Sequence, residues 1–149
     1  MIDLTSASPL APRPTVALEH PTYPNALELF SHIGARITAL LPVRSRADLD
    51  IWQSALHHAD LSYLIADFHN PTGISVPADL RPTLQSRNLL VVDESMVALV
   101  LGGACLPDAP PMGCSHPKAI TIGSVSKNLW GGLRIGWLRA SEKIIIRPA

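Results

Sequence analysis

The sequence predicts an α/β fold: a mostly parallel sheet with helices on both faces. Two observations carry this. Apolar runs of strand length alternate with helix-period segments through roughly the first ninety residues. Several of those runs are apolar throughout, as strands buried on both faces are, rather than alternating as half-exposed strands do. A chain of 149 residues is long enough to bury one core of its own.

Residues 1–14 read as an irregular lead-in of small residues and prolines without periodicity. TVALE (Thr15–Glu19) is a short β-leaning run. PNALELFSHIG comes next, with Pro24 as a first-turn proline, Gly34 as a stop, and Ala26, Leu29, Phe30 and Ile33 as its buried stripe. RITALLPV (Arg36–Val43) is the next strand. RADLDIWQSALHHA (Arg46–Ala59) is a helix with Leu49, Trp52 and Leu56 on one face, and His57 and His58 end it where its dipole favours them. LSYLIADF (Leu61–Phe68) and NLLVVDES (Asn88–Ser95) are apolar strands. Between them VPADLRPTLQSR has helix-start chemistry, strained by Pro82. The segment Leu101–Pro117 carries too much Pro and Gly for a regular element and reads as an exposed loop. KAITIGS (Lys118–Ser124) and RIGWLRA (Arg134–Ala140) return to strand.

Composition narrows the function classes. Twelve Lys plus Arg balance twelve Asp plus Glu, so no net field draws the chain to nucleic acid or to a membrane surface. No stretch approaches the ~20 apolar residues of a membrane span. The N-terminus lacks the basic leader and apolar core of a secretory signal. Cys105 and Cys114 fit no zinc spacing and read as unpaired thiols of a cytoplasmic protein.

In parallel sheets ligands bind where strands end. Asn70 lies just past LSYLIADF in the turn NPTG, Asp93 closes NLLVV, and Lys127 comes after AITIG and a Ser-rich link. They lie 23 and 34 residues apart, each about one strand–helix–strand unit, which sets the three strand ends side by side. Singly, each has a bland reading: a turn asparagine, a strand-end cap, a solvated lysine.

HNPTG, VVDES and GSVSKNLWGGLRIGW, in that order, resemble the fold-type I pyridoxal phosphate (PLP) enzymes, the class I/II aminotransferases. YLIADFHNPTG with SKNLWGGLRIGW is most similar to the aminotransferase-like domain of MocR regulators, a branch of the GntR transcription factors; EHPTYPNALELF fits the same family. The resemblance spans roughly Thr15 to Ala140. It implies the central part of a PLP-transferase large domain and a role for each group. Lys127 would join the cofactor aldehyde and later carry the proton. Asp93 would hold the pyridine nitrogen protonated, and Asn70 would donate to the ring's phenolic oxygen. Arg134 would pair with the phosphate, helped by Ser124 and Ser126. Tyr23 is a candidate for covering one ring face. The implied partners are an amino acid and a 2-oxo acid, with a homodimer as a possible assembly; neither nucleic acid nor membrane is expected from this chain alone.

Departures from the family pattern set further expectations. Many aminotransferases place a tyrosine three residues after the aspartate, where this chain has Met96. Residues 1–14 offer no glycine-rich phosphate loop, and 141–149 is read as the start of a C-terminal small domain that would bring the arginine for the substrate carboxylate. No winged helix-turn-helix is present. The expected molecule is therefore a partial large domain over 15–140, truncated at both ends, with sheet edges left exposed. It would transfer an amino group if complete, without unaided turnover as it stands. The alternatives are a non-catalytic PLP or amino-acid sensing module of a MocR-type regulator, and an inactive relic.

Overall fold

The structure, a computed structural model, describes residues 12–99, 110–127 and 129–146. The first eleven residues of the lead-in, and Cys105 with most of its Pro-rich segment, lie outside them. Six strands form one sheet in the order β2-β1-β3-β4-β5-β6: β1 (Thr15–Glu19), β2 (Arg36–Leu40), β3 (Leu61–Ile65), β4 (Leu89–Asp93), β5 (Ala119–Ser124) and β6 (Gly136–Arg139). The first five are parallel, and β6 joins β5 antiparallel. The mostly parallel sheet is therefore as expected, with strands shorter than their apolar runs.

Helices α1 (Pro24–His32) and α2 (Arg46–His58) cover opposite faces. The period-2 alternation of β3 shows how: Tyr63 and Ile65 pack with Phe30 of α1, while Leu64 packs with Leu49, Trp52 and Leu56 of α2. Ser45 caps α2 by accepting from the Asp48 amide, and its hydroxyl returns to the Asp48 carboxylate at 3.0 Å. Trp52 also donates its indole N–H to the Leu41 carbonyl at 2.7 Å, so its polar atom is satisfied inside the core.

Three expectations are corrected. Leu29 is exposed, and Leu27 packs beneath α1 in its place. The VPADLRPTLQSR crossover forms only a single 3-10 turn at Arg81–Thr83; Pro82 removes the amide that a longer helix would need. The end of the Pro-rich segment is not an exposed loop: Met112–Ser115 make a 3-10 turn, and Met112 and His116 are buried. The outer strands β2 and β6 are exposed along nearly their whole length, as foreseen for the sheet edges. Among the described residues no helix is long and apolar enough to cross a membrane.

The chain leaves β1 for β2 on one side, then returns past β1 to β3 and proceeds outward through β4 and β5. The loops after β1 and β3 therefore diverge, opening a crevice at the C-terminal ends of these strands.

Candidate active site

Register aligns the strand ends that meet at this crevice. Ile65 of β3 pairs with Asp93 of β4, which pairs with Ile122 of β5, so the loops leaving these strands emerge at one rim. A cavity of about 260 Å³ lies there. Asn70, Asp93, Lys127, Arg134, Ser124, Ser126 and Tyr23, every residue singled out from the sequence, line it. Ile65, Ser95 and Met96 complete the wall. A smaller recess of about 190 Å³ adjoins the Ser124, Ser126 and Arg134 end.

Asn70 sits on a turn that is fixed from behind. His69 N–H donates to the Ile74 carbonyl at 2.8 Å, and the Gly73 amide donates back to the His69 carbonyl at 2.6 Å. Gly73 has φ of +73°, a conformation that glycine adopts without a Cβ clash. The buried His69 ring is the peg: Nδ1 meets Thr72 Oγ1 at 2.8 Å, and Nε2 stands 3.3 Å from Glu19 Oε2. That second approach is an ion-pair distance without hydrogen-bond alignment. Glu19, at the end of β1, also accepts the Ile65 amide at 2.7 Å. One buried carboxylate thus links β1, β3 and the turn that carries Asn70.

Asp93 is buried with both carboxylate oxygens engaged. Tyr63 Oη donates to Oδ2 at 2.6 Å and the Ser95 amide to Oδ1 at 2.9 Å. Across the cavity, Ser126 N–H donates to Ser124 Oγ at 3.1 Å, shaping the turn that carries Lys127. Lys127 itself is exposed at the mouth of the cavity. Arg134 adopts φ of +53°, left-handed backbone that a non-glycine residue enters at a cost of about 1 kcal/mol. Met96 lines the wall where a phenol was absent from the sequence, and it donates nothing.

Sequence reasoning missed Tyr63, Glu19 and His69. The signal for Tyr63 was available in the register: two residues before Ile65, it lies on the same face as Asp93 and diagonal to it. Glu19 gave none, since a glutamate ending a short strand ordinarily faces solvent.

Burial raises the Glu19 pKa above 4.5, against the lowering pull of His69 and with a smaller upward push from Asp93. An acid whose folded pKa is raised contributes stability that is full below its unfolded pKa and lost as pH climbs through the folded value. Glu19→Gln is accordingly expected to flatten the loss of stability as pH rises above 4.5. Urea denaturation at a series of pH values checks this, and an unchanged slope would refute it.

Comparison with known proteins decides the family. The model for aminotransferase class I and II matches residues 3–147. The chain belongs to that family. Within the aminotransferase family it is 32% identical over 139 residues to a 2-aminoadipate transaminase of Thermus thermophilus, covering 87% of this chain and 35% of that protein. It is 30% identical over 141 residues to YisV, an uncharacterized HTH-type transcriptional regulator of Bacillus subtilis, covering 90% of this chain and 29% of the regulator. Among solved structures, LysN, the α-aminoadipate aminotransferase of T. thermophilus, superposes with a TM-score of 0.74 at 30% identity, over 89% of this chain and 36% of LysN. The histidinol-phosphate aminotransferase of Sinorhizobium meliloti, solved in complex with pyridoxal 5'-phosphate, superposes at 0.70 with 25% identity, over 91% of this chain and 39% of that one. Both aminotransferases and HTH-type regulators thus stand among its relatives, and the chain spans about a third of the length of those it matches. The α/β fold is that of PLP-binding transferases.

Proposed function

We propose that this chain carries the lysine-bearing part of a PLP site, and that the protein to which such a site belongs transfers an amino group between an amino acid and a 2-oxo acid. The observation that supports this reading is one cavity lined by an amide, a carboxylate, an amine and a guanidinium from separate strand ends. The donor set fits the cofactor's own asymmetry. A carboxylate with both oxygens already held suits a protonated ring nitrogen. The serine and arginine end, with its added recess, suits a phosphate dianion.

Bound there, PLP supplies an electrophilic aldehyde and an electron-withdrawing ring. This chain's residues do the rest. Asp93 would fix the ring nitrogen and keep a proton on it. Asn70 would donate its amide to the ring oxygen from the pegged turn, and Tyr23, 38% exposed at the rim, would cover one ring face. Arg134 would neutralise phosphate charge while Ser124 and Ser126 would offer hydroxyls. Lys127 would supply the amine that holds the aldehyde carbon, water leaving, and would then take up or return the proton.

Borohydride treatment of protein mixed with PLP tests the assignment. One phosphopyridoxyl group is expected on Lys127 by mass spectrometry, together with a visible absorption band, and Lys127→Ala should lose both completely. Lys118 and Lys143 serve as internal controls; label spread over all three would sink the reading. A second reading, a ligand-sensing module without catalysis, is favoured by the similarity to YisV and by Met96 in place of a phenol. It expects the band to respond to added amino acids with no 2-oxo acid released.

A further inference from the structure

We propose that Tyr63 is a positioning residue, which acts through Asp93 to make the site select ligands with a protonated ring nitrogen. This deepens the PLP reading and rests on it. Tyr63 does not line the cavity; it reaches the ligand space only through the carboxylate.

The geometry leaves little freedom. A carboxylate at a strand end can rotate about its Cα–Cβ and Cβ–Cγ bonds, and a donor on one oxygen alone would still allow it to swing. Here the Ser95 amide holds Oδ1 at 2.9 Å and the Tyr63 phenol holds Oδ2 at 2.6 Å, so the carboxyl plane is set by two anchors of different origin. The phenol is itself immobile. Tyr63 is 4% exposed, and its ring meets Phe30 edge-on with centroids 6.0 Å apart. It packs in the cluster formed with Val16, Leu18 and Ile65. The carboxylate is thereby tied, through one rigid side chain, to the core under α1. Among the described residues Tyr63 is the one side chain that donates to Asp93.

Each anchored oxygen keeps lone-pair capacity for one more donor. An N–H from a cationic ring takes one of these places, whereas a ring with C–H there leaves both empty. Sites built around buried acceptors reject ligands that lack the matching donor. Removing the Tyr63 hydroxyl frees one oxygen and lets the carboxylate drift from this alignment, so the preference for ring nitrogen should fall. Burial, and then the Asp93 charge, push the Tyr63 phenol well above its ordinary pKa, in keeping with a neutral donor at every working pH.

The test compares PLP with its analogue carrying C–H in place of the ring nitrogen, on wild type and Tyr63→Phe. PLP affinity is expected to fall about tenfold in the variant, a loss the size of one charge-assisted hydrogen bond, with the analogue's unchanged. Equal losses for both ligands would mean general damage to the fold and would overturn the proposal, as would no loss for either. A second measurement needs no cofactor. Urea unfolding of Tyr63→Phe, Asp93→Asn and the double variant closes a cycle on the Tyr63–Asp93 hydrogen bond. The double variant is expected to lose less stability than the two single variants summed, because both singles break the same bond. If wild type binds neither ligand, the cofactor reading fails, and this cycle alone decides whether Tyr63 holds Asp93; additive losses overturn it.

Discussion

Arg134→Ala is expected to weaken PLP binding about tenfold while leaving pyridoxal, which lacks the phosphate, unaffected. The guanidinium stands at the serine end of the cavity and is exposed without a ligand, so solvent screening places the effect at the lower end of what a charged pair supplies. Backbone geometry makes this residue's role separable from its contribution to folding. With φ of +53°, Arg134 occupies the left-handed region at the end of the Gly131–Leu133 turn, where alanine would suffer the same Cβ clash and glycine would not. Arg134→Gly should therefore be more stable than Arg134→Ala by about 1 kcal/mol, while losing phosphate affinity equally. Thermal denaturation beside calorimetric titration with PLP and pyridoxal reads both quantities. Pyridoxal affinity falling in step with PLP would remove Arg134 from the phosphate role.

The strand and helix order was legible because hydrophobic period survives in the folded state: Leu49, Trp52 and Leu56 are buried as their spacing requires. The rim was legible because Asn70, Asp93 and the Ser124–Lys127 link each stand at or just past a strand end, and parallel register brings such ends level. Side-chain pairs formed between strands were not. Glu19 and His69 are fifty residues apart, and nothing local marks either as buried. Pro82 marked the crossover after the turn as strained, but nothing local showed that one buried arginine would hold it. These links depend on which faces meet, a property of the sheet rather than of any segment.

That arginine gives the largest expected effect on stability. Arg81 and Asp67 are 4% and 1% exposed, and they pair through both forks of the guanidinium, Nη1 to Oδ2 at 3.3 Å and Nη2 to Oδ1. The Nε–H donates to the Val76 carbonyl at 3.0 Å. Asp67 lies just past β3 and Arg81 in the crossover, so the pair ties the segment entering the Asn70 turn to the chain that leaves it. Arg81→Met strands a buried carboxylate and should destabilise by about 3–5 kcal/mol, a large part of the ~5–15 kcal/mol that holds a typical domain. Asp67→Leu in the same background removes the orphaned charge, and the double variant should recover most of the loss. A single variant within 1 kcal/mol of wild type in urea unfolding would show that the charges are screened and the pair is dispensable. The double variant also separates holding the crossover from presenting Asn70. His69, Thr72 and Gly73 close the turn among themselves, so PLP affinity should return with stability. A stable double variant that no longer binds would mean that Arg81 aligns the turn as well as anchoring it.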